Sequence, residues 1–114
     1  MKKDNIRDYA AEAFRFYALS RSGEARSDDP AARADIEAVD RVIQTLRDEP
    51  DGDLAIRCLE LVYFSQPRKL PGRGAISDRA RYASVQLGLS EPVIYRKLRQ
   101  LRRNLALERG LRIG

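Results

Sequence analysis

The sequence predicts an all-α protein of about five helices, a C-terminal three-helix unit preceded by an N-terminal pair. Three observations predict it. Apolar residues recur at three and four positions through most of the chain, capping residues with Pro or Gly punctuate these stretches, and no run reads as a strand. The 114 residues and 13.0 kDa are one domain's worth of chain, enough to bury roughly 65% of the unfolded surface without covalent staples. There is no His, no Trp and one Cys, which excludes disulfide scaffolds, zinc fingers, His-based triads and most metal hydrolases. No enzyme, metal site or cofactor is therefore expected. No stretch approaches the ~20 apolar residues of a membrane span. Met1-Lys2-Lys3-Asp4 leads into an amphipathic segment without an apolar signal core, so the expectation is a soluble, cytoplasmic chain.

The first helix is expected from about Asp4 to Ser20, with Asp4 or Asn5 as N-cap and Ile6, Tyr9, Ala10, Ala13, Phe16 and Tyr17 on one stripe. Ser20 to Asp29 has almost nothing to bury and reads as a loop. Asp28 or Asp29 before Pro30 starts the second helix, which runs to about Glu49 with Ile36, Val39, Ile43 and Leu46 spaced as a coiled-coil seam. That seam packs inside the monomer or forms a two-fold contact between copies; the spacing fits both. Pro50-Asp51-Gly52-Asp53 breaks the pattern, with Asp53 as the next cap, and a third helix from Leu54 to Ser65 is apolar around much of its circumference. Cys58 lies inside it, without any imidazole to activate it, and reads as a small buried hydrophobe.

Residues 66–75 hold two Pro, two Gly and the basic side chains Arg68, Lys69 and Arg73, a loop suited to contacting phosphate or simply connecting. Gly72-Arg73-Gly74 lacks the strand and third glycine of a nucleotide-binding fingerprint. Ser77 then caps a short helix from Asp78 to Leu87, Gly88 ends it with a positive φ, Leu89 is a turn hydrophobe, and Ser90 caps a last helix with Pro92 in its first turn. Helix, glycine turn, capped helix, with small residues where two helices cross, is the local signature of a helix-turn-helix.

Charge divides the chain at the same place. Residues 1–62 carry 10 Lys and Arg against 14 Asp and Glu, whereas residues 63–114 carry 12 against 3. At 100° per residue, Leu98, Leu101 and Leu105 fall within about 40° of Ile94 on the last helix, while Pro92, Arg96, Arg99 and Arg103 lie opposite, flanked by Tyr95 and Arg102. A solvated helix ordinarily mixes in Glu to relieve like-charge repulsion, and none occurs between Glu91 and Glu108. A polyanion is the expected neighbour of such a stripe.

Leu59-Glu60-Leu61-Val62-Tyr63-Phe64 and Gly88-Leu89-Ser90-Glu91-Pro92-Val93-Ile94-Tyr95-Arg96-Lys97-Leu98-Arg99 resemble region 4 of bacterial sigma factors and the DNA-binding domains of small prophage-type transcriptional regulators from Gram-positive bacteria. Ile6 to Ala10 and Phe14 to Tyr17 are similar to the start of some of those regulators. The sigma-type resemblance spans roughly Leu54 to Leu105. It departs in a longer, more basic loop before the helix pair and in lacking the promoter-melting region, so promoter opening is not implied.

The expected organisation is a segment at 1–50 for dimerisation or partner docking and a helix-turn-helix domain at 51–110. The expected function is sequence-specific binding of double-stranded DNA by a transcriptional regulator, with residues 90–105 in the major groove. By helix-turn-helix geometry Ser90, Glu91, Pro92, Tyr95, Arg96 and Arg99 meet base edges. Glu91 accepts from a cytosine amine or repels phosphate, and Tyr95 meets DNA or packs at the core edge. Arg68, Lys69, Arg73, Ser77, Arg79, Arg81, Arg102 and Arg103 are placed for phosphates, which position the protein but read nothing. The alternative is a sigma-like adaptor that binds RNA polymerase or another protein without reading a sequence. The expected partners are thus DNA, RNA polymerase and a second copy joined through the N-terminal helices.

Overall fold

The computed structural model describes residues 5–23, 29–65 and 75–110. Within them the chain is all-helical: α1 Asn5–Arg21, α2 Pro30–Arg47, α3 Gly52–Leu59, a π-helical segment Glu60–Phe64 that continues α3, α4 Ala75–Leu87 and α5 Glu91–Arg109. Five α-helices and no strand among the described residues match the predicted fold class. The acidic loop's residues 24–28 and the basic loop's residues 66–74, with Arg68, Lys69 and Arg73, lie outside the described residues, as does Asp4.

Local chemistry accounts for most of the boundaries. Asp29 takes an extended conformation and its carboxylate accepts from the Ala31 N–H at 3.2 Å, while Pro30 occupies the first helical position; one otherwise unpaired amide is satisfied and Pro's missing donor costs nothing there. After α2 the chain turns through Glu49 and Pro50 into α3, which starts one residue before the expected cap Asp53. Gly52 is buried against the Leu46 carbonyl, where a Cβ would collide with backbone, so this first helical position takes glycine. Asp53 instead lies in the first turn, where a carboxylate faces the positive helix end.

One core joins all of the elements. Ala10, Ala13, Phe14 and Tyr17 of α1, Val39, Val42, Ile43 and Leu46 of α2, and Ala55, Cys58 and Leu59 of α3 meet Ile94, Leu98, Leu101 and Leu105 of α5 in a single cluster. On α1 it is Phe14, fully buried, that supplies the central aromatic ring, whereas Phe16 of the expected stripe is half-buried. Phe14 packs on Tyr63 with ring centroids 5.0 Å apart, and Tyr17 stacks on Phe64 at 5.5 Å. The most extensive helix–helix contact is between α2 and α5. The α2 seam is thereby used inside the monomer, and the division expected near residue 50 separates no second core.

Polar ties reinforce the packing at the edges. The Tyr9 hydroxyl and Arg109 Nε both donate to Asp35 Oδ1, at 2.6 and 2.7 Å, joining α1, α2 and the end of α5. Tyr17 donates to Asp40 at 2.6 Å. Burial, helped by Asp40, pushes the Tyr17 phenol up to about 12. Cys58 is fully buried, and burial raises its pKa with Lys97 opposing, which suits a packing role.

Candidate nucleic-acid interface

Residues 88–90 join α4 to α5 in a short turn fastened from both sides. Gly88 has φ +66°, the left-handed region that a side chain resists. The Leu89 N–H donates to the Ser84 carbonyl at 3.2 Å, and the Ser84 hydroxyl donates back to the Leu89 carbonyl. Ser84 thus ties the turn twice, through its main-chain carbonyl and through a hydroxyl small enough for this crossing. Ser90 has the extended backbone of an N-cap, and its carbonyl accepts from Ile94 N–H at 3.1 Å, but its side chain makes no capping bond. Ser77 is not a cap at all. Helix α4 begins at Ala75, which puts Ser77 inside the first turn, on the exposed side.

Helix α5 is two-sided, as the angular arithmetic predicts. Ile94, Leu98, Leu101 and Leu105 are each 0% exposed, while Glu91, Pro92, Tyr95, Arg96, Arg99 and Arg103 are exposed on the other side. The rise of 1.5 Å per residue spreads Arg96, Arg99 and Arg103 over about 10 Å of rod. Among the described residues, the ion pairs between the N-terminal elements and α5 fall at its C-terminal end, where Glu108 pairs with Arg41 at 2.9 Å and Arg109 with Asp35. Among the described residues, Arg96, Arg99 and Arg103 enter no ion pair. The leucine edge fixes the rod and leaves a cationic edge open to solvent.

The remaining site residues are divided. Arg81 Nε reaches Glu91 Oε1 at 3.4 Å, an exposed pair linking α4 to the first residue of α5 and worth little by itself. Arg79 turns inward: its Nη1 donates to the Val62 carbonyl at 3.1 Å, tying α4 to the π-helical segment. Val62 lies in the last turn of this helical run, where carbonyls lack an intrahelical partner, and Arg79 bonds to one of them. Arg102 is half-buried beside the Tyr63 phenol, whose pKa burial raises and Arg102 pulls back. Both arginines, which the sequence assigned to phosphates, thus lie against the protein's own oxygens, apart from the exposed stripe of Arg96, Arg99 and Arg103.

Sequence reasoning missed Tyr82 and Val85, which are 55% and 73% exposed on α4. Their spacing of three on the side opposite Ala80 and Ala83 is the signal that would have found them. No group of three or more metal-ligating side chains occurs among the described residues, and no helix among them is long and apolar enough to cross a membrane. Comparison with protein-family models, curated proteins and solved structures finds no match.

Proposed function

We propose that the chain is a sequence-specific regulator of transcription that binds double-stranded DNA, with α4, the Gly88 turn and α5 acting as a helix-turn-helix. One observation supports this reading above the others: Arg96, Arg99 and Arg103 stand open and unneutralised on a helix whose opposite edge is locked in the core. Such an edge fits a polyanion, and a helix of this length and exposure fits a major groove. In this reading Ser90, Glu91, Pro92, Tyr95, Arg96 and Arg99 lie toward base edges. Arg96 and Arg99 each fork onto a guanine, a contact worth about 1–3 kcal/mol of discrimination. Arg103, Arg81, Ser77 and the loop cations Arg68, Lys69 and Arg73 lie toward phosphates.

Selection of bound sequences from a randomised duplex library tests the reading. Arg96→Ala and Arg99→Ala are expected to lose base preference at defined positions, and Arg103→Ala to weaken binding evenly across sequences. Selection that yields no sequence preference refutes the regulator.

A second reading is favoured by the exposed Tyr82 and Val85 on α4: an adaptor that docks on RNA polymerase or another protein through this apolar side. It predicts only salt-labile, sequence-blind binding to duplex DNA, and loss of partner binding in Tyr82→Ala. A second copy joined through the N-terminal helices would have to use surfaces other than the α2 seam.

A further inference from the structure

On the part of the molecule built without α5, the ends of α1 and α2, α3 and the π-helical segment border a shallow, largely open cavity of about 470 Å³. Its size falls in the range of small-molecule sites. The floor is apolar and aromatic: Tyr17 and Phe64 stack with an interplanar angle of 28°, and Ile43 and Ile56 stand beside them. The exposed arginines Arg21 and Arg47 also line the cavity. Arg21 lies 5.9 Å from the centre of the Tyr17 ring, and Arg21 and Arg47 both act on the Tyr17 phenol as nearby positive charges. Neither arginine enters an ion pair among the described residues.

We propose that this cavity binds a small aromatic monoanion, a carboxylate or sulfonate attached to a flat ring system. The ring lies against the partly buried Phe64 and Ile56, where aromatic contact adds to area burial, and the anionic group is held between Arg21 and Arg47 by charge-assisted hydrogen bonds. Charge sets the valence. Glu60, from the π-helical segment, also lines the cavity, and its carboxylate opposes a ligand with several negative charges. Nucleic acid and polyphosphates are thus directed to the α5 edge, and a singly charged ring to this cavity. The ligand would touch Phe64 and Glu60 of the segment whose Val62 carbonyl holds Arg79 of α4, but the binding itself is independent of any role in DNA recognition.

The test uses the full chain and two probes. The first is 8-anilinonaphthalene-1-sulfonate, read by its own emission, which no tryptophan overlaps because the chain has none. The second is naphthalene-2-carboxylate as a competitor, beside the neutral naphthalene-2-methanol. The expected result is saturable one-to-one binding, displacement by the carboxylate and not by the alcohol, and at least about tenfold weaker binding in Arg47→Ala and in Arg21→Ala. Arg57→Ala, which removes an exposed arginine outside the cavity, is expected to bind as the parent does, and circular dichroism checks that all variants keep their helicity. Non-saturable binding, equal displacement by the alcohol, or undiminished binding in folded Arg21→Ala and Arg47→Ala overturns the proposal. None of these readings involves DNA, so failure here leaves the regulator reading to its own test.

Discussion

Replacing Arg103 with Ala gives a quantity that the structure fixes in advance, the salt dependence of duplex binding. Each phosphate neutralised by a protein cation releases counterions, and log affinity falls with log salt at about −0.9 per contact on B-DNA. Helix α5 offers Arg103 without a protein carboxylate competing for it, and as the one exposed α5 arginine assigned to a phosphate it contributes a slope of about −0.9. Over a fourfold rise in salt that contact alone weakens binding about 3.5-fold, a share that is lost when the arginine is removed. Other cations add equally to parent and variant, so the difference of about 0.9 between their slopes is the diagnostic value. Fluorescence anisotropy of a labelled duplex, titrated at several potassium chloride concentrations, measures both. Arg103→Lys is expected to keep the parent slope, because a lysine neutralises a phosphate as well as an arginine does. Parallel lines for parent and Arg103→Ala would show that the exposed arginine makes no phosphate contact, and the interface would have to lie elsewhere.

Three further outcomes follow from the packing. Leu98→Ala removes a fully buried side chain from the middle of the core and is expected to cost about 2–5 kcal/mol, read as a lower urea midpoint with little change in slope. Tyr17 titrates near 12 in the folded chain against about 10 when unfolded. Between those values the folded state holds a proton that the unfolded state has lost, so stability is intact below about pH 10 and declines towards about pH 12. Melting temperatures across that window should fall less steeply in Tyr17→Phe, and an unchanged fall would remove Tyr17 as the source. Light scattering at tens of micromolar should give a monomer in the absence of DNA, because the α2 seam is internal; a dimer mass would require a surface not identified above.

The helices were legible in the sequence because their apolar periods are regular and their ends carry Asp29-Pro30, Gly88 and Ser90. The two-sidedness of α5 was legible for the same reason, since a helix of constant pitch converts spacing directly into direction. What was not legible depended on residues distant in sequence. Even over six residues, Gly52 must lack a Cβ because the Leu46 carbonyl lies against it, a fact about two helices meeting. The π-helical turn at Glu60–Phe64 lies in a run so apolar that its period cannot be told from that of an α-helix. Arg79 and Arg102 read as cations like any others until Val62 and Tyr63 are placed beside them. The cavity between Arg21 and Arg47 draws its walls from four elements, and no local pattern announces it.

The close union of α2 with α5 bears on how the chain acquires its shape during synthesis. Val39, Val42, Ile43 and Leu46 are complete as soon as α2 leaves the ribosome, yet the leucines that cover them lie about fifty residues further along. Through that interval the early helices can associate with one another but present an oily flank to water, the condition in which nascent chains recruit chaperones or clump. Pausing of translation before Ser90 would lengthen this exposure, and the molecule matures only when its last long helix slides home.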